Sequence, residues 1–130
     1  MKKYTKLEGW DDREAMIRDF VIVDEADVTV IRKARAVVGE YVREDYEGSA
    51  HVLVLTENGK LLENYGSHCS CFGLEDQWKP NKVSVKYTQK QLHNGHSWMS
   101  KHVQPIRTLL SKVALKGRTK HESRPIQPEG

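Results

Sequence analysis

Apolar residues recur along this chain at two spacings, and the change from one to the other marks out its elements. After the acidic turn Asp11-Asp12-Arg13-Glu14, Ala15, Met16, Ile17 and Phe20 fall at helical intervals. The pattern predicts a short helix over 11–20, with Asp11 as N-cap and its acids favoured by the helix dipole. Asp24-Glu25-Ala26-Asp27 reads as polar punctuation. From Val28 to Val38 apolar side chains alternate with others, which predicts a strand, although Arg32 to Ala36 has helical propensity. Val42 to Gly48 reads as the turn that ends it. Ala50–Thr56 and Lys60–Tyr65 then form a hairpin around Asn58-Gly59, the preferred pair for a type I′ turn, because both central residues need positive φ. Alternation puts His51, Leu53 and Leu55 on one face and Val52 and Val54 on the other. Two apolar faces predict a central hairpin covered by helix on at least one side.

Beyond Trp78-Lys79-Pro80 the helical period returns. Ser84 suits an N-cap, Val85, Thr88 and Leu92 share a side, and Asn94-Gly95 is a stop, which predicts a helix over 84–93. Ile106, Leu109, Leu110 and Val113 follow the i, i+3, i+4, i+7 rule after Pro105, so a second helix is expected over 104–116, ended by Gly117. From Arg118 to Gly130 periodicity is lost, and a flexible tail is expected. Together these elements predict one compact α+β domain over 1–117. Its small antiparallel sheet of three or four strands is built on the 50–65 hairpin and flanked by about three helices.

Charge divides the same chain differently. Residues 1–78 hold ten Lys/Arg against sixteen Asp/Glu, whereas 79–121 hold ten Lys/Arg, four of the six histidines and no acid. An acidic front and a basic back argue for a polyanionic partner, or for attraction between halves within a monomer or homodimer. Lys86, Lys90, Lys101, Arg107, Lys112, Lys116, Arg118 and Lys120, interleaved with Tyr87 and Trp98, are the candidate partner-binding residues. Basic side chains neutralise phosphates and aromatics stack on bases, but no helix-turn-helix, zinc-finger or RNP pattern accompanies them. An acidic protein surface fits equally well. The longest apolar run, Val52 to Leu55, is far too short for a bilayer, and no apolar stretch follows the basic start. With two cysteines at i and i+2, a poor disulfide framework, a cytoplasmic protein without membrane contact is expected.

Those cysteines sit in Ser67-His68-Cys69-Ser70-Cys71, the one cluster of soft or nucleophilic side chains. On extended backbone Cys69 and Cys71 point the same way about 6–7 Å apart, which suits two thiolates on one metal better than a disulfide. A zinc site would use Cys69 and Cys71, completed by two of His68, His93, His96 and His102, with His68 in the same cluster. A cysteine nucleophile is the other chemical reading, with His51 as base and Glu75 or Asp76 to orient it. Against both stands packing, with the cysteines as small core residues and His68 bonded to a turn. Packing is preferred, so no cofactor is expected, zinc remaining the alternative.

The run Asp45-Tyr46-Glu47-Gly48-Ser49-Ala50, the hairpin, and Gly66-Ser67-His68-Cys69-Ser70-Cys71-Phe72-Gly73-Leu74-Glu75-Asp76-Gln77-Trp78 resemble a family of small phage and prophage proteins. Those carry (D/E)YxGxA, an apolar strand, a turn and GSHCSCYGLEGQW. The likeness covers about 35 residues, with Phe72 where Tyr is common and Asp76 where Gly is common. Relatives are mostly shorter, which would make the basic portion after Pro80 an addition. The resemblance implies a context, not a reaction. In that context the expected function is that of an accessory protein acting by binding in the cytoplasm of an infected cell. Its basic C-terminal surface would engage a host or anti-phage-defence factor. Nucleic-acid binding on the same surface, and a metal or cysteine enzyme at His68, Cys69 and Cys71, are the alternatives.

Overall fold

The most apolar stretch of the sequence becomes the middle of a five-stranded sheet. The computed structural model describes residues 2–70, 72–95 and 98–113. Strands β1 (Tyr4–Glu8), β2 (Ala36–Glu44), β3 (Glu47–Leu55), β4 (Leu61–His68) and β5 (Asn81–Val83) lie side by side in chain order. β1 runs parallel to β2, and every other pairing is antiparallel. The α+β class holds. The sheet is wider than expected because β1, unmarked by apolar alternation, joins its edge.

Helices cover both faces. α1 (Arg13–Asp19) and α2 (Glu25–Lys33) cross from β1 to β2, while α3 (Val85–His93) and α4 (Val103–Ser111) follow β5. One core gathers Trp10, Met16, Phe20 and Ile31 against Val37, Val52 and Val54 of the sheet. The other gathers Trp98, Met99, Ile106 and Leu109 against Val38, Leu53 and Leu55. Both sides of β3 are thus buried, which is why Val52 to Leu55 is continuously apolar.

Three expectations are corrected locally. The strand over 28–38 is instead helix up to Lys33, and β2 begins only at Ala36. Asp24, taken as punctuation, is the N-cap, and its side chain accepts from the Ala26 and Asp27 amides. That cap, with acids in the first turn and Arg32-Lys33 in the last, outweighs the β-branched Val-Thr-Val-Ile run. β2 then continues through Glu44, turns at Asp45-Tyr46, and β3 starts at Glu47, earlier than predicted. The 56–60 hairpin loop is not type I′. Gly59 N–H donates to the Thr56 carbonyl at 3.1 Å, and only Gly59 has positive φ, at 91°. Thr56 selects this wider form, because its hydroxyl donates to Asn58 Oδ1 at 2.8 Å and accepts from Lys60 N at 2.9 Å.

The cap of α1 is Asp12, one residue after the one predicted, and α3 matches its prediction with Ser84 as N-cap. α4 starts one residue earlier than expected; its predicted end near 116 and the tail 118–130 lie outside the described residues. Among the described residues, no helix is long and apolar enough to cross a membrane.

Candidate functional site

The pleat carries Glu8, Glu40, His51 and Tyr65 across four strands as one row, since Glu8 pairs with Glu40, Glu40 with His51, and His51 with Tyr65. The row continues the face of Val38 and Leu53, so it runs toward the segment that enters α4. Glu40 is 2% exposed and His102 6%. A buried carboxylate is costly unless paired, and here it is. His102 Nε2 donates to Glu40 Oε1 at 2.8 Å, Lys101 Nζ lies 3.2 Å from the same oxygen, and His51 Nδ1 is 3.9 Å from Oε2. Glu8 Oε1 comes within 3.5 Å of His102 Nε2. Burial pushes the Glu40 carboxyl up, but the hydrogen bonds from His102 and Lys101 outweigh it and hold its pKa below the ordinary carboxylate value. Trp98 stacks on His51, with centroids 5.3 Å apart and planes 9° from parallel.

The Cys-His segment lies at the end of the opposite face. Cys69 O can only accept, so the 2.8 Å contact places a hydrogen on His68 Nδ1. Nε2 then accepts from the Tyr41 hydroxyl at 2.6 Å. Burial pushes the Tyr41 pKa up and keeps that hydroxyl protonated. Both ring nitrogens of His68 are therefore engaged. Gly48 is required beneath it, because a Cβ there would run into His68 Nε2. Cys69 is exposed with a free thiol, and Cys71 and His96 lie outside the described residues. Of the other proposed ligands, His93 and His102 belong to the α3/α4 side and not to that of Cys69. His51 faces Glu40 rather than Cys69, and Glu75 turns back to accept from Gly73 N at 3.1 Å.

The rest of that segment is structural. Leu74 is 1% exposed in the first core. Gln77 accepts from Ser67 N at 2.8 Å and donates to Gly73 O at 3.0 Å, while Asn64 holds Gln77 O and Lys79 N at 3.1 and 2.8 Å. Trp78 meets Phe20 edge-on at 5.3 Å.

The basic residues divide. Lys86 and Lys90 on α3 and Arg107 on α4 are exposed, as is Lys101, and Lys112 is half-buried after α4. Tyr87 is 41% exposed, and the Glu63 carboxylate beside its hydroxyl, 3.4 Å away, raises its pKa. Trp98, expected on the partner surface, is a core residue at 2% exposure. Lys116, Arg118 and Lys120 lie outside the described residues. A cavity of about 620 Å³ between α3 and α4 is lined by Gln89, Leu92 and His93 of α3 and by Val103, Arg107, Leu110 and Ser111 of α4.

Sequence reasoning missed Glu40 and Glu8 altogether. The only signal was a charged residue at position 40 inside a run whose neighbours are apolar at every second place. It also missed Arg35, 6% exposed, which donates to Glu57 O at 2.9 Å and Lys112 O at 3.0 Å and so ties α4 to the hairpin loop.

The fold and its surface define an α+β protein with a sheet between two helical layers, one of them basic. No protein-family model, curated protein or solved structure matches this chain.

Proposed function

We propose that this is a phage-type accessory protein that acts by binding, using the α3/α4 layer to engage an acidic surface of a host or anti-phage-defence factor. One observation carries the reading. Among the described residues, Lys82, Lys86, Lys90, Arg107 and Lys112 face no carboxylate within ion-pair distance, whereas Lys101 and His102 of the basic segment do. A layer whose charges are unneutralised within its own fold favours a negatively charged partner. The groove between α3 and α4 has a mixed lining, with Leu92, Val103 and Leu110 beside Gln89, His93, Arg107 and Ser111, which suits an acidic protein segment with apolar anchors.

The context, an infected cell's cytoplasm, comes from the likeness of the 45–78 run to small phage proteins. Nucleic acid on the same surface is the second reading. Burial of Trp98 removes one of the two aromatics it would stack on, and this favours a protein partner. Capture from host lysate tests the choice. A protein partner is retained after nuclease treatment and lost on Lys90→Glu with Arg107→Glu. Retention by that variant, with its fold intact by circular dichroism, contradicts the proposal.

A further inference from the structure

We propose that Glu8, Glu40 and His102 bind one divalent transition-metal ion of the class that accepts mixed carboxylate and imidazole ligands, such as Mn²⁺, Fe²⁺ or Zn²⁺. One oxygen of each carboxylate and Nε2 of the imidazole lie within 4.8 Å of one another. Ligands about 2.1 Å from a tetrahedral centre stand roughly 3.4 Å apart. The 3.5 Å between His102 Nε2 and Glu8 Oε1 already has that value. The 2.8 Å between Nε2 and Glu40 Oε1 is a hydrogen bond, and it opens by about half an ångström when an ion replaces its hydrogen. His102 then coordinates through Nε2 as the Nδ1–H tautomer.

Further features separate this cluster from an ordinary ion pair. Lys101 already brings positive charge to Glu40 Oε1, but its side chain is 55% exposed and sits on a flexible stem. An incoming dication displaces it into solvent without disturbing the core. A cavity of about 340 Å³ lined by Lys6, Leu7, Glu8, Lys101, His102 and Pro105 reaches two of the three ligands, Glu8 and His102, from outside and leaves room for water as a fourth ligand. Behind the site, His51 is stacked on Trp98 with its Nδ1 3.9 Å from Glu40 Oε2, beyond hydrogen-bond distance. His102 also occupies the N-cap position of α4 and makes no side-chain capping bond. Its imidazole is turned to the carboxylates instead.

The site shares the α3/α4 side with the surface proposed for partner binding but uses none of Lys86, Lys90 and Arg107, so the two fail separately. The test is titration of the purified protein with Mn²⁺, which favours carboxylate and imidazole over thiolate, reading free Mn²⁺ by electron paramagnetic resonance. One equivalent binds to the wild type. Glu8→Gln, at an exposed strand position that leaves the metal-free melting temperature in place, weakens binding at least about tenfold. Lys101→Met, which removes the competing cation, tightens it. Cys69→Ser leaves it unchanged. Absence of binding overturns the proposal, as does binding indifferent to Glu8→Gln or abolished by Cys69→Ser. Weaker binding in Lys101→Met does so too, since it would make the lysine part of a purely structural pair.

Discussion

The face of the sheet under α1 and α2 is closed by apolar and aromatic packing, whereas the face under α3 and α4 keeps a row of ionisable groups beneath its helices. On the first face Trp10 lies between Phe20 and Tyr41, with ring centroids 5.9 and 5.4 Å away. Its polar groups are used within the fold: Asn64 and Gln77 fix the loop, Arg13 ties β1 to the end of α2, Trp10 donates to Asp19, and Tyr41 pairs with His68. On the second face the apolar core stops short of one end, where Glu8, Glu40, His51 and His102 meet. Stability alone does not call for such a row, because apolar residues of similar volume often serve a fold as well as or better than buried ions. On the proposals made above, the first face is scaffold and the second carries the metal site and the binding surface.

That assignment can be broken by substitution. The largest effect is expected at Leu74, where truncation to Ala opens a cavity among Phe20, Gly66 and Trp78 and costs about 2–5 kcal/mol by urea denaturation. A loss under 1 kcal/mol would mean the 72–78 loop is not part of the core. Next comes Arg13, whose guanidinium donates to Ile31 O at 2.7 Å, Ala34 O at 3.0 Å and Tyr4 O at 3.1 Å. Arg13→Met leaves those carbonyls without their charged donor and costs about 1.5–3 kcal/mol; neutrality would show that water replaces it.

The smallest effect is a pH dependence at Glu14. The hydrogen bond from Arg32, at 2.8 Å, holds its carboxyl below the ordinary value. A depressed folded pKa gives stability that is present above the unfolded pKa of about 4.3 and is lost as pH falls through the folded value. Melting temperatures of wild type and Glu14→Gln should therefore differ slightly at pH 7 and draw together as the pH falls below about 4.3. A gap that widens on acidification has the wrong sign.

Much of the scaffold was legible because local signals agreed with tertiary ones. The apolar run of β3, the Ser84 cap and the α4 stripe each dictate one structure. α2 was misread because Val28-Thr29-Val30-Ile31 favours strand by side-chain shape, while its caps favour helix and prevailed. The hairpin turn was misread because Thr56, outside the Asn-Gly pair, decides the loop. The polar row was hidden for a different reason. Glu8, Glu40, His51 and His102 are far apart in sequence, and only the parallel β1–β2 pairing and the turn into α4 bring them together. The Cys-His cluster, conspicuous in sequence, places His68 in hydrogen bonds that serve the fold, and the long 45–78 run reads best as the frame that presents the other layer.

The central claim is that the α3/α4 layer binds and the α1/α2 layer does not. Matched charge reversals test it: Lys86→Glu with Lys90→Glu on one side, Arg18→Glu with Lys33→Glu on the other, all at exposed positions. Each folded variant is compared with wild type for capture of the same partner from nuclease-treated host lysate. The first pair should abolish capture and the second leave it intact. Equal loss in both, or loss confined to the second pair, would contradict the account.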